Sequence, residues 1–489
     1  MQVSNQQTYR SIFKATSLFG GLQVYQILIG IVRSKFIAML LGPSGMGIAS
    51  LYTTATSFIK SLSSMGLASS AVRDVSQAYG TGDQDKINII ITVLRKLVWM
   101  TGILGMILVV VGSPILSNST FGNYEYILPF VVLSVTVLVD QLTVGQNVIL
   151  QGTRRLKNLA KSSAIGSTIG LLVTIPLYYI WGVDGIVPTL VIISVVSYLL
   201  AKFYARQVPF SKQIVSFRET ISQGSIMLKM GLAMSVNGFL VSFSAYILRV
   251  FIMHQGSISD VGFFTAGFAI VTTYVGMVFS AISTDYYPRL AAVNEDNEKC
   301  CSLINQEGEM GSLILGPCLI GCIVFMPLII RILYTDEFSS ASDYVLWASL
   351  GMMFKLVGWV VAFVFLAKSA MKLFLINEIF GLSYNLVLSL LGFYFDGLRG
   401  LGIAFSLGHL IYAVVVCVIT HYSFKYTPSI SFLKVYFCEL FMIVVSLVVV
   451  IMTKGVYAYA LGSFLLLFSG VYSIWELNKR MDLIGFIKR

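Results

Sequence analysis

The chain has 489 residues, of which 57% are hydrophobic and only 11% are charged, and its formal net charge is +11 at pH 7. A soluble globular chain carries about 25% charged residues, so this composition excludes an ordinary soluble protein. Apolar runs of about 20 residues, the length that crosses about 30 Å of hydrocarbon, recur along the sequence. Strands of a membrane β-barrel would instead alternate apolar and polar residues. We therefore predict an all-α polytopic membrane protein.

The hydropathy pattern predicts about fourteen spans, with twelve as the alternative if the last two do not cross the membrane. The first twenty residues have no small-residue cleavage site after a short apolar core, which predicts a retained cytoplasmic tail and no signal peptide. The predicted spans are 15–41, 45–70, 89–113, 127–150, 160–182, 186–205, 226–252, 263–290, 308–335, 343–367, 373–395, 402–424, 433–452 and 457–476.

Basic residues predict the orientation. Of the 33 lysines and arginines, 25 fall in the segments on the side of the N-terminus, and only Arg399 and Lys454 fall in segments on the other side. Because basic loops stay in the cytoplasm, both termini are predicted to be cytoplasmic. The positive charge then lies where it meets anionic lipid headgroups, which accounts for it without nucleic acid.

Residues of the same or complementary type recur at separations of 215 or 216 positions and at similar depths in the predicted spans. This pattern favours an internal duplication into a lobe at 1–215 and a lobe at 216–424, followed by two additional helices and a tail at 425–489. Parallel six-helix halves with the substrate between them are a recurrent plan of transporters. The three pairs are Arg33 with Arg249, Gly47 with Gly262, and Asp140 with Lys355.

Lys60 lies in the middle of an apolar span, where a charge costs about 2.5–3.5 kcal/mol on insertion scales. It belongs to a polar stripe at helical spacing, formed by Thr53, Ser57, Lys60 and Ser64. The fourth span carries a similar stripe, formed by Thr136, Asp140, Thr143 and Asn147. We expect Lys60 to face protein or water, and the alternative is that Lys60 and Asp140 pair inside the bundle.

Basic residues outnumber acidic residues within the predicted spans. Because excess positive charge is unfavourable in a low dielectric, we expect a substrate to supply an anion there. Residues two apart on a helix do not share a face, so only one of Arg33 and Lys35 is expected to point into a cavity. Arg33 is favoured because it matches Arg249 in the predicted second half. Each acid has two interpretations, as a coupling-ion or gating group or as a structural partner. As a structural partner, Asp285 would cap a helix pair, and Glu378 would form an ion pair with Lys368 or Lys372. The candidate cations are Arg33, Lys35, Lys60, Arg249 and Lys355, and the acids are Asp140, Asp285 and Glu378.

No catalytic constellation and no metal-ligand spacing is present in the sequence. The predicted loops on the far side are short, which disfavours a membrane enzyme of polysaccharide assembly with an external active site. A cation-coupled multidrug exporter should present acids to its substrate rather than five cations, so that class is also disfavoured.

Three segments resemble the Wzx-type O-antigen flippases, the polysaccharide-transport branch of the MOP exporter superfamily. Residues 35–52, KFIAMLLGPSGMGIASLY, match the first two helices and the G-P-x-G-x-G turn between them. Residues 347–379, WASLGMMFKLVGWVVAFVFLAKSAMKLFLINEI, match a second region, and residues 286–299 match the end of the eighth helix. Met352 stands where members of that family often have an acid, so no coupling role is carried over to this position.

The resemblance implies two six-helix lobes forming a V around a central cationic cavity. It implies the transfer of an undecaprenyl-diphosphate-linked O-antigen repeat unit from the cytoplasmic to the periplasmic leaflet of a bacterial inner membrane, by alternating access. Arg33, Lys60, Arg249 and Lys355 would neutralise the diphosphate, since arginine and lysine both bind phosphate. No cofactor is expected, and a proton or sodium gradient is the candidate energy source. Membrane lipid, a polymerase and a chain-length regulator would be the partners.

Overall fold

The computed structural model describes residues 2–211, 213, 215–453 and 455–481, and no β-strand occurs within these ranges. The chain divides between Val261 and Gly262 into two compact units. The helices are α1 Gln2–Ser63, α2 Leu67–Thr81, α3 Gln84–Phe121, α4 Ile127–Gly152, α5 Leu156–Trp181, α6 Ile186–Ala205, α7 Phe217–Gln255, α8 Ile258–Ala269, α9 Met277–Ala292, α10 Asn297–Val324, α11 Met326–Leu333, α12 Ala341–Ala367, α13 Met371–Phe424, α14 Ile430–Met452 and α15 Val456–Met481.

Within the described ranges, eleven helical stretches are long and apolar enough to cross a membrane. Three of them, Gly20–Ser63, Leu156–Ala205 and Met371–Phe424, are 44, 50 and 54 residues long, and each covers all or most of two predicted spans. Counting these three twice gives fourteen spans, so the all-α polytopic membrane fold is confirmed. The lobes at 1–215 and 216–424, the additional segment at 425–489 and the central cavity stay predictions.

Glycines make the turns inside these long stretches. α1 breaks at Gly42, whose φ of 64° and ψ of −168° are open to glycine and strained for other residues, and Pro43 follows. α13 breaks at Asp396 and at Gly397, where φ is 54°. A 3₁₀ turn, Gly182–Gly185, separates α5 from α6. Each double stretch therefore folds back where the sequence supplies a residue that tolerates a left-handed backbone.

The second predicted span, 45–70, is wrong at its end. Helix α1 stops at Ser63, Met65 and Gly66 have φ values of 47° and 62°, and α2 starts at Leu67. A Cβ atom on Gly66 would lie 2.0 Å from the backbone oxygen of Gly231 in α7. The helix thus ends where two backbones touch, a tertiary contact that the apolar pattern of one segment does not reveal.

Two further spans differ from their predicted form. The eighth, at 263–290, is interrupted by a π-helical segment, Ile270–Val275, before α9 begins. The ninth, at 308–335, begins eleven residues earlier than predicted, because the Asp296 side chain caps α10 by accepting hydrogen bonds from the amides of Glu298 and Lys299.

In the second unit, α14 and α15 pack together around a buried acid. The Glu439 side chain of α14 is fully buried and accepts hydrogen bonds from Ser469 and Ser473 of α15, at 2.8 and 2.9 Å. A Cβ atom on Gly316 of α10 would lie 2.2 Å from Glu439 Oε2, so the glycine makes room for this carboxyl. A second contact, Arg480 Nε to Glu309 Oε2 at 2.8 Å, joins α15 to α10. The last two predicted spans are therefore integral to the second unit.

Candidate functional site

Lys60 forms an ion pair within the first unit. Its Nζ atom lies 3.0 Å from Oδ2 of Asp140, and the two side chains are 32% and 36% exposed. The two predicted polar stripes, on α1 and α4, therefore meet at their charged residues. This contact corresponds to the alternative in which the two residues pair. Both side chains remain partly exposed in the pair.

Arg249, on α7, contacts α1 at Ser50, about three helical turns before Lys60. Its Nε atom donates a hydrogen bond of 2.8 Å to Oγ of Ser50, and a second nitrogen donates to the backbone oxygen of Ala245 at 3.1 Å. The residue is only 8% exposed. Arg249 therefore ties α7 to the same helix that carries Lys60.

Arg33 and Lys35 are half-buried on α1, before the break at Gly42. The guanidinium of Arg33 lies beside the hydroxyl of Tyr178 on α5, and its Nε atom is buried without a hydrogen-bond partner among the described residues. One donor of Arg33 is thus left over for a further acceptor.

An aromatic cluster adjoins the Lys60 helix and was not predicted from the sequence. Phe58 stacks on Tyr246 with 5.6 Å between the ring centroids and contacts Phe239 and Phe243 at 5.7 and 5.6 Å. The only sequence signal is that Phe239, Phe243 and Tyr246 recur at spacings of four and three, which places them on one face of α7. Rings of this kind offer an apolar surface beside the charges.

Lys355 lies in the second unit, in the middle of α12. It is half-buried, its Nζ atom lies over the ring of Phe279 at 5.7 Å, and His409 of α13 is close enough to interact with its charge. No carboxylate of the described residues is within ion-pair distance of this lysine. The sequence predicted Lys355 as a cation in the bundle, and the neighbours Phe279 and His409 were found only in the structure.

The acid Asp285 has a basic partner. Its Oδ2 atom lies 3.1 Å from Arg289, one turn later on α9, and the same arginine reaches Glu307 of α10 at 3.3 Å. These contacts correspond to the structural interpretation of Asp285, in which it helps to join a helix pair.

Glu378 is held by a tyrosine. Tyr412, on the second half of α13, donates a hydrogen bond of 2.7 Å to Glu378 Oε1. Neither Lys368 nor Lys372 pairs with Glu378, and Lys368 donates instead to the backbone oxygen of Asn294. The ion pair considered for Glu378 is therefore wrong, because the Tyr412 hydroxyl contacts its carboxylate and Lys368 contacts a loop carbonyl. The role of this acid as a coupling-ion or gating group stays a prediction.

Ser44 and Ser259 are separated by 215 positions, the same offset as in the predicted duplication. Their hydroxyl oxygens lie 2.8 Å apart. Close by, a Cβ atom on Gly47 would lie 2.1 Å from the backbone oxygen of Ile258, so glycine is required for this approach. The start of α8 therefore contacts α1 directly after its break.

Each unit by itself offers cations that can neutralise an anion, and within the described residues no cluster of histidine, cysteine, aspartate and glutamate could hold a metal ion. One unit offers a lysine with a carboxylate partner and an arginine with a spare donor. The other offers a lysine whose charge no described carboxylate compensates.

The chain resembles known transporters over most of its length. Residues 36–343 match the family described as polysaccharide biosynthesis protein, and residues 254–470 match the family of the lipid II flippase MurJ. The lipid III flippase of Escherichia coli K12 is 21% identical over 421 residues, which cover 83% of this chain and 97% of that protein.

Two solved structures show the same fold. An inward-facing multidrug resistance MATE family transporter of the MOP superfamily gives a TM-score of 0.71 at 16% identity, with 82% of this chain and 94% of the other covered. The lipid II flippase MurJ in an inward closed conformation gives a TM-score of 0.66 at 14% identity, with 96% and 100% covered. The shared fold therefore extends over nearly all of this chain, including its last two helices in the MurJ comparison.

Proposed function

This chain belongs to the polysaccharide biosynthesis protein family, and from that premise we propose that it is the flippase of an undecaprenyl-diphosphate-linked oligosaccharide. It is a multi-span transporter of the MOP superfamily rather than an enzyme, as its relatives are transporters and flippases. The proposed cargo is an O-antigen-type repeat unit. The proposed direction is from the cytoplasmic to the periplasmic leaflet of a bacterial inner membrane, by alternating access.

Lys355 is the observation that carries the proposal. A lysine in the middle of a span costs about 2.5–3.5 kcal/mol on insertion scales, and such residues mark substrate or ion pathways. No described carboxylate compensates the charge of Lys355, and its contact over the Phe279 ring leaves the ammonium hydrogens available. A diphosphate supplies the missing negative charge and accepts hydrogen bonds from the ammonium group.

The remaining cations have graded roles in this proposal. Arg33 has a buried Nε atom with no hydrogen-bond partner and can add a donor to a phosphate. Lys60 is neutralised by Asp140 in this conformation and would have to leave that partner in order to bind substrate. Arg249 is committed to Ser50 and is proposed to hold α7 in position rather than to make the first contact. Lys35 is kept as a secondary candidate.

A drug-cation exporter of the same superfamily is the alternative. Such a transporter needs carboxylates that are free to bind a cation, but Asp140 and Asp285 each have a basic partner. Likeness to the MATE structures extends to the fold alone. The similarity to flippases of lipid II and lipid III favours a lipid cargo.

The proposal is tested by deleting the gene and locating the lipid-linked oligosaccharide. A flippase deletion should leave the oligosaccharide assembled on its lipid carrier and confined to the cytoplasmic leaflet, where an impermeant probe reaches it only in inverted vesicles. Expression of the intact chain should move it to the outer leaflet. Lipid-linked units that reach the periplasmic leaflet without this protein would overturn the proposal.

The proposal further includes an energy source and an orientation. A proton or sodium gradient would drive the transport cycle, with Glu378 as the candidate coupling group. Both termini would face the cytoplasm, although Lys212, Lys454 and residues 482–489, which enter the basic-residue count, lie outside the described residues. A polymerase and a chain-length regulator would use the flipped units.

A further inference from the structure

A cationic cavity lies within the first unit, at the end of α6. It has a volume of about 360 Å³, lies between α3, α4 and α6, and is open on one side. Arg95 and Trp99 line it from α3, Gln146 from α4, Tyr198 and Lys202 from α6, and Arg206 from the position directly after α6. The α6 residues recur every four positions, so one face of the helix forms one wall. None of these residues belongs to the Lys60 or Lys355 sites.

The cavity is lined by cations and by no acid. Arg95, Lys202 and Arg206 contribute three positive charges, and its remaining lining residues are apolar, aromatic or neutral polar. None of the three forms an ion pair with a carboxylate of the described residues. Three like charges around one cavity repel one another, and an anion between them turns this repulsion into attraction.

Arg95 is held in place and keeps a donor in reserve. Its guanidinium lies over the ring of Phe210 at 4.3 Å, which fixes the plane of the group. Its Nε atom is buried and has no hydrogen-bond partner among the described residues. An unsatisfied donor on a charged group is costly, and a ligand that reaches this atom after a shift of the side chain would relieve that cost. Planar guanidinium groups bind phosphate oxygens in pairs.

The rest of the cavity matches the border between lipid and water. Lys202 lies over the ring of Tyr198 at 5.3 Å, and Trp99 is half exposed beside it. Tryptophan and tyrosine concentrate at this level of a membrane, and basic cavities between helices on the cytoplasmic side bind anionic headgroups. The basic residues of the α6 end are predicted to lie on that side.

We propose that this cavity binds the phosphate of an anionic phospholipid headgroup in the cytoplasmic leaflet. Arg95 supplies a paired donor, Lys202 and Arg206 supply charge, and the amide of Gln146 supplies a neutral donor. The lipid would stabilise the packing of α3, α4 and α6. The inference uses only residues of this cavity, so it stands independently of what the protein transports.

The test measures lipid binding to the purified full-length protein in a neutral detergent, by thermal unfolding at increasing lipid concentration. The probes are phosphatidylglycerol, phosphatidylcholine and inorganic phosphate. Phosphatidylglycerol should raise the unfolding temperature in a saturable manner, whereas phosphatidylcholine should have little effect. Equal stabilisation by both lipids, or full stabilisation by inorganic phosphate alone, would overturn the lipid assignment.

Variants separate the cavity from general surface charge. Arg206→Gln should weaken the apparent affinity for phosphatidylglycerol about fivefold, and the triple change with Arg95→Gln and Lys202→Gln about a hundredfold, since one basic residue near the surface contributes about 1 kcal/mol. The matched control Lys157→Gln with Lys161→Gln removes two exposed cations of α5 and should leave the affinity unchanged.

If the triple variant does not fold, Arg206→Gln and Arg95→Lys remain as tests. Arg95→Lys keeps the charge and loses the paired geometry, so it should bind phosphatidylglycerol more weakly than the wild type. Unchanged affinity in both variants, or an equal loss in the α5 control, would contradict the proposed cavity.

Discussion

Lys60 and Asp140 join α1 to α4 through an ion pair of 3.0 Å between Nζ and Oδ2, with about a third of each side chain exposed. Removing either partner leaves a partly buried charge, which should cost about 1–3 kcal/mol, between the ranges for exposed and buried pairs. Lys60→Ala and Asp140→Ala should therefore each lower the unfolding temperature in detergent. The double variant should regain most of that loss, because no charge is left uncompensated.

Transport by the same variants separates pairing from substrate binding. We expect Lys60→Ala and the double variant to remain defective in transport, and Lys60→Arg to keep part of it, because the charge survives with altered geometry. Strictly additive stability losses would contradict the pairing as a stabilising contact. Full transport by the double variant would remove Lys60 from the set of substrate ligands.

Gly66 and Gly80 form a matched pair of glycine positions. A side chain on Gly66 would require φ near +62° and would place Cβ 2.0 Å from the backbone oxygen of Gly231, whereas nothing lies within 4 Å of a Cβ on Gly80. Gly66→Ala should therefore sharply reduce the yield of folded protein. Gly80→Ala, inside α2, should instead stabilise the protein by about 0.5–1 kcal/mol. Equal yields and unfolding temperatures for the two variants would contradict the close approach of the backbones.

The sequence was sufficient to predict where the membrane-spanning helices lie, but not where each helix ends. Hydropathy identifies apolar stretches of membrane length, because membrane helices satisfy their own backbone hydrogen bonds. The described residues hold eleven such helical stretches, three of them long enough for two spans each. The break after Ser63 was missed, because the contact between Gly66 and Gly231 joins residues 165 positions apart. No local pattern reports such a contact.

For the candidate charged residues, too, the sequence predicts the residues themselves but not their contacts. Residue type and helical spacing identified Lys60, Asp140 and Lys355 as charges inside the bundle, since each interrupts an apolar run. Spacing along one helix does not determine the partner on another helix. The sequence therefore left open whether Lys60 pairs with Asp140, and it could not show that Tyr412 holds Glu378.

We expect the stability of the folded protein to depend on pH through Asp83. Its carboxylate accepts hydrogen bonds from the amides of Lys86 and Asp85 at the start of α3, and these bonds hold the pKa of Asp83 below its usual value. A lowered pKa in the folded state contributes stability above the unfolded pKa of about 3.9, which is lost as the pH falls through the folded value. The gap in unfolding temperature between wild type and Asp83→Ala should therefore be full at pH 7 and shrink below about pH 4.

Asp83→Asn is the control for this effect, because asparagine caps a helix without a titrating charge. Its unfolding temperature should exceed that of Asp83→Ala by an amount that does not change between pH 7 and pH 3. A gap between wild type and Asp83→Ala that stays constant over this range would show that the carboxylate charge contributes nothing to the cap.

The predicted orientation can be measured by labelling exposed positions at or near the ends of helices with a membrane-impermeant maleimide. In a cysteine-free background, Glu125→Cys lies between α3 and α4 on the predicted outer side, and Lys157→Cys lies at the start of α5 on the predicted inner side. Glu125→Cys should react in intact cells with a permeabilised outer membrane, and Lys157→Cys only after lysis. The reverse pattern would contradict the orientation inferred from the basic residues.

The central claim is that the ammonium group of Lys355 binds a phosphate of the lipid-linked cargo. The most direct test measures the rate at which lipid-linked oligosaccharide reaches the periplasmic leaflet, in cells that carry Lys355 variants at equal protein abundance. Lys355→Ala should lower that rate about tenfold or more, as expected for the loss of a hydrogen bond to a charged group, and Lys355→Arg should retain part of it. Lys372→Ala, which removes an exposed lysine at the start of α13, should leave the rate unchanged. A wild-type rate in Lys355→Ala would contradict the account.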